Sequence, residues 1–88
     1  LSEHILLENY PNPFNATTMI NYQLSMSSDV NLSIYNSLGQ KVVTLVNERR
    51  TAGSHQVAWD ASGYASGIYY YRIEAGEFQD VKKMILLR

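Results

Sequence analysis

The chain has no cysteine, and that absence removes disulfides, thiol nucleophiles and thiolate metal sites together, so stability has to come from packing. No apolar run approaches the ~20 residues that a membrane-crossing helix needs, and no basic-then-apolar leader opens the chain. No sign of charge is in excess: seven Lys and Arg stand against eight Asp and Glu, a formal net charge of -1. The footprint of a nucleic-acid or anionic-membrane binder is therefore missing, and neither partner is expected. The two histidines, His4 and His55, have no paired spacing with Asp29, Asp60 or Asp80 that would suit a metal.

What is present is apolar enough to fold. Hydrophobic residues make up 45% and charged ones 17%, which places the 88 residues with packed globules rather than disordered segments. One domain spanning 1–88 is expected, able to bury roughly 60 to 65% of the surface its unfolded chain exposes. Seven tyrosines against two phenylalanines favour β-structure with half-buried positions. The first residue is Leu1 rather than Met, which suggests a piece of a longer protein whose targeting signals lie upstream.

Period-two alternation supplies the strands. Leu1 to Tyr10 reads as a short edge strand. Ile20, Tyr22 and Leu24 share one face of a strand over Thr17 to Leu24, with Asn21 and Gln23 on the other. Val30, Leu32 and Ile34 alternate with Asn31, Ser33 and Tyr35 in the next, which pairs with or faces the first. Asn36 to Gln40 reads as a hairpin loop with Gly39 in the left-handed position. A strand over Lys41 to Val46 follows, apolar on both faces, and then a solvated loop over Asn47 to Ser54. His55, Val57 and Trp59 alternate with Gln56 and Ala58 in a further strand ending at Asp60, with Trp59 a core centrepiece. Ala61 to Gly67 is a loop rich in glycine and serine. Between the first two strands, Pro11 and Pro13 shape a rigid loop in which Phe14 plugs one end of the core.

The chain closes in a β-hairpin. Two runs rich in aromatic and β-branched residues flank Glu74-Ala75-Gly76-Glu77, where Gly76 can take a positive φ without a Cβ clash. Tyr69, Tyr71 and Ile73 share one face and Ile68, Tyr70 and Arg72 the other. Val81, Met84, Ile85, Leu86 and Leu87 supply the burial that holds a terminal strand, leaving Lys82, Lys83 and Arg88 at the surface. Short strands with turn signals every ~8 to 12 residues predict an all-β, antiparallel immunoglobulin-like β-sandwich of about seven strands, a small barrel being the alternative. Tyr69, two residues after Gly67 at the start of a late strand, stands where a tyrosine corner would tie its hydroxyl to upstream backbone.

Catalytic constellations are missing. Ser54, His55 and Asp60 hold the ingredients of a triad, but neighbours on a strand point to opposite faces. A carboxylate pair of Asp60 with Glu74 or Glu77 lacks walls to enclose a sugar ring. Gly63, Gly67 and Gly76 open no helix and form no phosphate loop. No enzyme activity and no cofactor are expected.

Six motifs in order nevertheless carry a resemblance across essentially the whole chain. They are Asn9-Tyr10-Pro11-Asn12-Pro13-Phe14-Asn15, Thr18-x-Ile20-x-Tyr22-x-Leu24, Ile34-Tyr35-Asn36-x-x-Gly39-Gln40-x-Val42, Ala52-Gly53-x-His55-x-Val57-x-Trp59-Asp60, Ala65-Ser66-Gly67-Ile68-Tyr69-x-Tyr71-Arg72 and Lys83-Met84-x-Leu86-x-Arg88. Together they resemble the type A C-terminal sorting domain of the type IX secretion system. They also resemble the immunoglobulin-like domain of flagellar hook-capping proteins, which shares the fold without the sorting role. The family pattern has a glycine after the Trp-Asp pair, where Ala61 stands here.

The resemblance implies a non-catalytic export label at the C-terminus of a secreted bacterial protein, its passenger domain lying upstream. It implies recognition by an outer-membrane translocon after passage through the periplasm, and removal by a sortase-like peptidase as the passenger is released or attached at the cell surface. The matching signal positions are Gly67, Tyr69, Gly76, Lys83, Met84, Leu86 and Arg88. The last strand could then add to a partner's sheet edge. Two other functions compete: a structural or linker module, and carbohydrate binding through exposed tyrosines such as Tyr35, Tyr64 or Tyr70.

Overall fold

The computed structural model describes residues 6–87. Seven strands run in chain order: β1 (Leu6–Tyr10), β2 (Thr17–Leu24), β3 (Ser28–Asn36), β4 (Lys41–Arg50), β5 (Gly53–Asp60), β6 (Gly67–Ala75) and β7 (Phe78–Leu86). They form two antiparallel sheets, ordered β1-β2-β5 and β4-β3-β6-β7. This is the predicted sandwich, and β2 and β3 lie in opposite sheets rather than pairing. Leu1 to Ile5, with His4, and Arg88 lie outside the described residues.

The core follows from the alternation. Ile20, Leu32, Ile34, Ile73, Met84 and Leu86 are wholly buried, and each contributes about 1.5–3 kcal/mol by leaving water. Met19 turns outward, so it does not break the pattern of β2. In β3 the outward-facing Ser33 is also buried, its hydroxyl 3.2 Å from that of Thr44 and donating to Asn31 Oδ1 at 2.8 Å.

β4 departs from expectation. It continues to Arg50 because Ser28 to Asn31 of β3 offer it partners, with Asp29 opposite Arg49 and Val30 opposite Glu48. Arg49 reaches Asp29 at 3.4 Å and Arg50 meets Glu48, so the charges that read as a loop decorate an edge strand. Register shifts at Leu32/Ser33 and Ile34/Tyr35 re-aim β4 side chains. Val42, Val43 and Leu45 are consequently all half-buried, with Val46 fully so.

The β3–β4 connection is built on Asn36, whose Oδ1 accepts the N–H groups of Leu38 at 2.9 Å and Gln40 at 3.0 Å, with Gly39 at φ +83°. The β6–β7 turn leaves Gly76 and Glu77 between the paired Ala75 and Phe78. Gly76 takes φ +61°, the left-handed region that a glycine at the first turn position allows. In β7 the even positions face inward, which buries Met84 and Leu86. Val81 and Leu87, expected to add burial, are instead about half exposed (49% and 54%), because the strand's parity turns them to the outer face.

Candidate recognition surface at the last strand

Trp59 is the hub of one end of the sandwich. Its ring meets Phe14 at 5.8 Å, Tyr64 at 5.4 Å and Tyr69 at 5.3 Å, tilted or edge-on, the geometries the ring quadrupole favours. The Tyr69 hydroxyl donates to the Ala65 carbonyl at 2.7 Å, making the predicted tyrosine corner. It ties down the loop between β5 and β6. The same loop is held where Asp60 Oδ1 accepts the Ser62 amide at 3.0 Å as well as the Ser62 hydroxyl; these bonds hold the Asp60 carboxyl below its ordinary pKa. Ala61 is wholly buried, donates its N–H to the Ala16 carbonyl at 2.6 Å, and needs no positive φ, so the missing glycine is accommodated.

A second network ties the proline loop to the sheets. The Tyr71 hydroxyl donates to Asn9 Oδ1 at 2.9 Å. Asn9 Nδ2 donates to Thr18 Oγ1 at 3.1 Å, and the Thr18 hydroxyl donates to the Pro11 carbonyl at 2.9 Å. Burial, with the charges of Glu8 and Asp80 adding to it, pushes the Tyr71 phenol up to about 12.

From this anchor the loop reaches the last strand. Asn12 Oδ1 accepts the Ile85 N–H at 3.1 Å, and Asn12 Nδ2 donates to the Lys83 carbonyl at 3.4 Å. Two residues on, the Phe14 N–H donates to the Ile85 carbonyl and the Phe14 carbonyl accepts the Leu87 N–H, both at 2.9 Å. Phe14 thereby bridges Leu86 in parallel while its ring is buried, as a plug of the core.

The residues that the resemblance singles out separate into three groups. Gly67 and Tyr69 pair with Leu86 and Met84 across the hairpin, and of these Tyr69, Met84 and Leu86 are buried. Lys83, opposite Tyr70, is exposed on the outer face of the sheet. Gly76 sits at the far end of the hairpin, about 30 Å from Gly67 at the rise of a strand. Arg88 is outside the described residues. Asn12 escaped sequence reasoning, since its partners lie 71 and 73 residues away and only the flanking prolines marked the loop as shaped.

The catalytic and metal sets weighed from the sequence are not brought together among the described residues. A hollow of about 460 Å³ on the β1-β2-β5 sheet is lined by polar side chains including Gln23, Ser54 and Gln56, with His55 stacked on Tyr22 at 5.3 Å and its Nε2 2.8 Å from the Thr51 carbonyl. Ser54 is exposed and His55 half-buried, the opposite-face placement that separates them as nucleophile and base. Among the described residues no group of three or more His, Asp or Glu side chains converges to hold a metal. Tyr64 is packed on Trp59 and Tyr69 rather than presented to a sugar. Among the described residues no helix is long and apolar enough to cross a membrane.

The fold, with the loop that closes its last strand, is a seven-stranded antiparallel β-sandwich of two sheets. A family model described as secretion system C-terminal sorting domain matches residues 8–87. The chain belongs to that family, the sorting domains of type IX secretion, whose members mark proteins for export to the cell surface or beyond. No curated protein matches the chain by sequence. Among solved structures it is similar to PorZ, described as an essential bacterial surface component of the type IX secretion system of Porphyromonas gingivalis, at 17% identity and a TM-score of 0.67. That match covers 93% of this chain and 11% of the PorZ chain, and it shows a shared fold.

Proposed function

We propose that this domain is a non-catalytic C-terminal export label, carried behind a passenger, that directs the passenger from the periplasm through the type IX outer-membrane translocon. Removal by a sortase-like peptidase, with release or surface attachment of the passenger, completes the sequence. Family membership over residues 8–87 carries this reading. In it the signal residues divide their work. Tyr69, Met84 and Leu86 act from the core by holding β7 in place, Gly67 and Gly76 set the ends of the hairpin, and Lys83 is presented to the translocon, while a part for Arg88 rests on the family resemblance alone.

Removal of residues 1–88 from the full-length protein tests the need for the label. The truncated passenger is expected to accumulate in the periplasm, folded and active, while the full-length protein reaches the surface or the medium. Delivery of the truncated passenger at the full-length level would make the domain a structural or linker module instead.

A further inference from the structure

Four backbone groups on the outer edge of β7, from the Lys83 carbonyl to the Leu87 N–H, are already taken. The Asn12 amide covers two of them and the Phe14 backbone the other two. A side-chain amide carries one donor and one acceptor in a plane, so Asn12 stands in for a peptide group, and Phe14 continues the imitation strand with real backbone. A partner strand adding to this stretch would have to break these bonds and lift Phe14, which is 2% exposed, off Trp59. The chain guards its own last edge.

The outer face of the same strand remains open. Register places Tyr35, Tyr70 and Lys83 in one row across β3, β6 and β7, with Ile68 opposite Ile85 beside it. Ile68 is 40% exposed, Tyr35, Tyr70 and Ile85 are half-buried, and Lys83 is exposed. The ion pairs among the described residues engage Arg49, Arg50 and Arg72, so Lys83 meets no carboxylate there. An apolar patch with an unneutralised ammonium at its edge, on the outermost strand, suits a partner surface of aliphatic or aromatic side chains with a carboxylate at its rim.

We infer that the translocon component that reads this domain docks on the outer face of β6 and β7, meeting Ile68, Tyr70, Lys83 and Ile85 with an apolar surface that carries a carboxylate opposite Lys83, rather than by adding a strand to the edge. The inference rests on the sorting reading and names its surface. Asn12 is then a positioning residue, holding β7 in the sheet without touching the partner.

The test compares five fusions of the chain, the wild type and four variants, to a periplasm-directed fluorescent protein, in a bacterium with a working type IX system, alongside melts of the purified domains. The Lys83→Glu/Ile85→Thr pair is expected to lower export about tenfold with an unchanged melt, and Lys83→Glu alone, at an exposed side chain, to lower it in part while Lys83→Arg restores it. Asn12→Ala, in which faster amide exchange at Ile85 reports an opened edge, is expected to bring no gain. Export of the paired variant at the wild-type level, or better export by Asn12→Ala than by the wild type, would overturn the outer-face assignment alone. A wild-type fusion that stays in the periplasm would overturn the sorting reading and this inference with it.

Discussion

The hydroxyl of Tyr69 donates to the carbonyl of Ala65, four residues upstream, at 2.7 Å, while its ring packs edge-on against Trp59. One side chain thus closes a loop and completes an aromatic cluster. Tyr69→Phe keeps the ring and removes only the bond, so it is expected to cost about 1 kcal/mol. Urea melts read the cost, and faster amide exchange confined to residues 61–66 shows that the bond holds the loop.

Phe14 and Trp59 share a contact at 5.8 Å and both are buried. Truncation of either to alanine is expected to cost about 3–5 kcal/mol. The double variant should cost clearly less than the sum, because each single change already removes the shared contact. Denaturant midpoints of the two single variants and the double variant provide the check.

Tyr71 gives the domain an alkaline limit. Its folded-state value of about 12 lies above the ordinary 10.0, chiefly through burial. Below the lower value both states keep the proton; between the two only the folded state keeps it, so stability falls as pH rises through that window. Tyr71→Phe is expected to cost about 1 kcal/mol near neutrality, where it strips Asn9 of a donor, and to flatten that alkaline fall. Melting temperatures of both proteins across the window decide it.

Gly76 holds φ +61° with nothing within 4 Å of where a Cβ would stand, so the penalty for a side chain there comes from the backbone alone. Gly76→Ala is expected to cost about 1–2 kcal/mol and Gly76→Asn less, since asparagine tolerates the left-handed region. Equal costs for the two variants would show that the turn does not depend on that region.

Much of this was legible in the residues. Alternation alone places Ile20, Tyr22 and Leu24, then Val30, Leu32 and Ile34, on inward faces, and the spacing of Tyr69 from Gly67 marks the corner. Glu48, Arg49 and Arg50 hid the end of β4, because charge on an edge strand has the same composition as a loop. The run from Met84 to Leu87 hid the parity of β7: four successive apolar residues carry no period, and only the pairing of Met84 and Leu86 with Tyr69 and Gly67 shows which positions face in, leaving Leu87 exposed. Asn12 was the least legible, since a side chain acting as a peptide group leaves no pattern until the far end of the chain is folded against it.

Sufficiency of the domain for export is the central claim. Residues 1–88 fused behind a periplasm-directed fluorescent protein, in a bacterium with a working type IX system, should carry the reporter to the medium or cell surface, while the reporter alone stays in the periplasm. A fusion whose domain melts cooperatively and yet remains in the periplasm would contradict it.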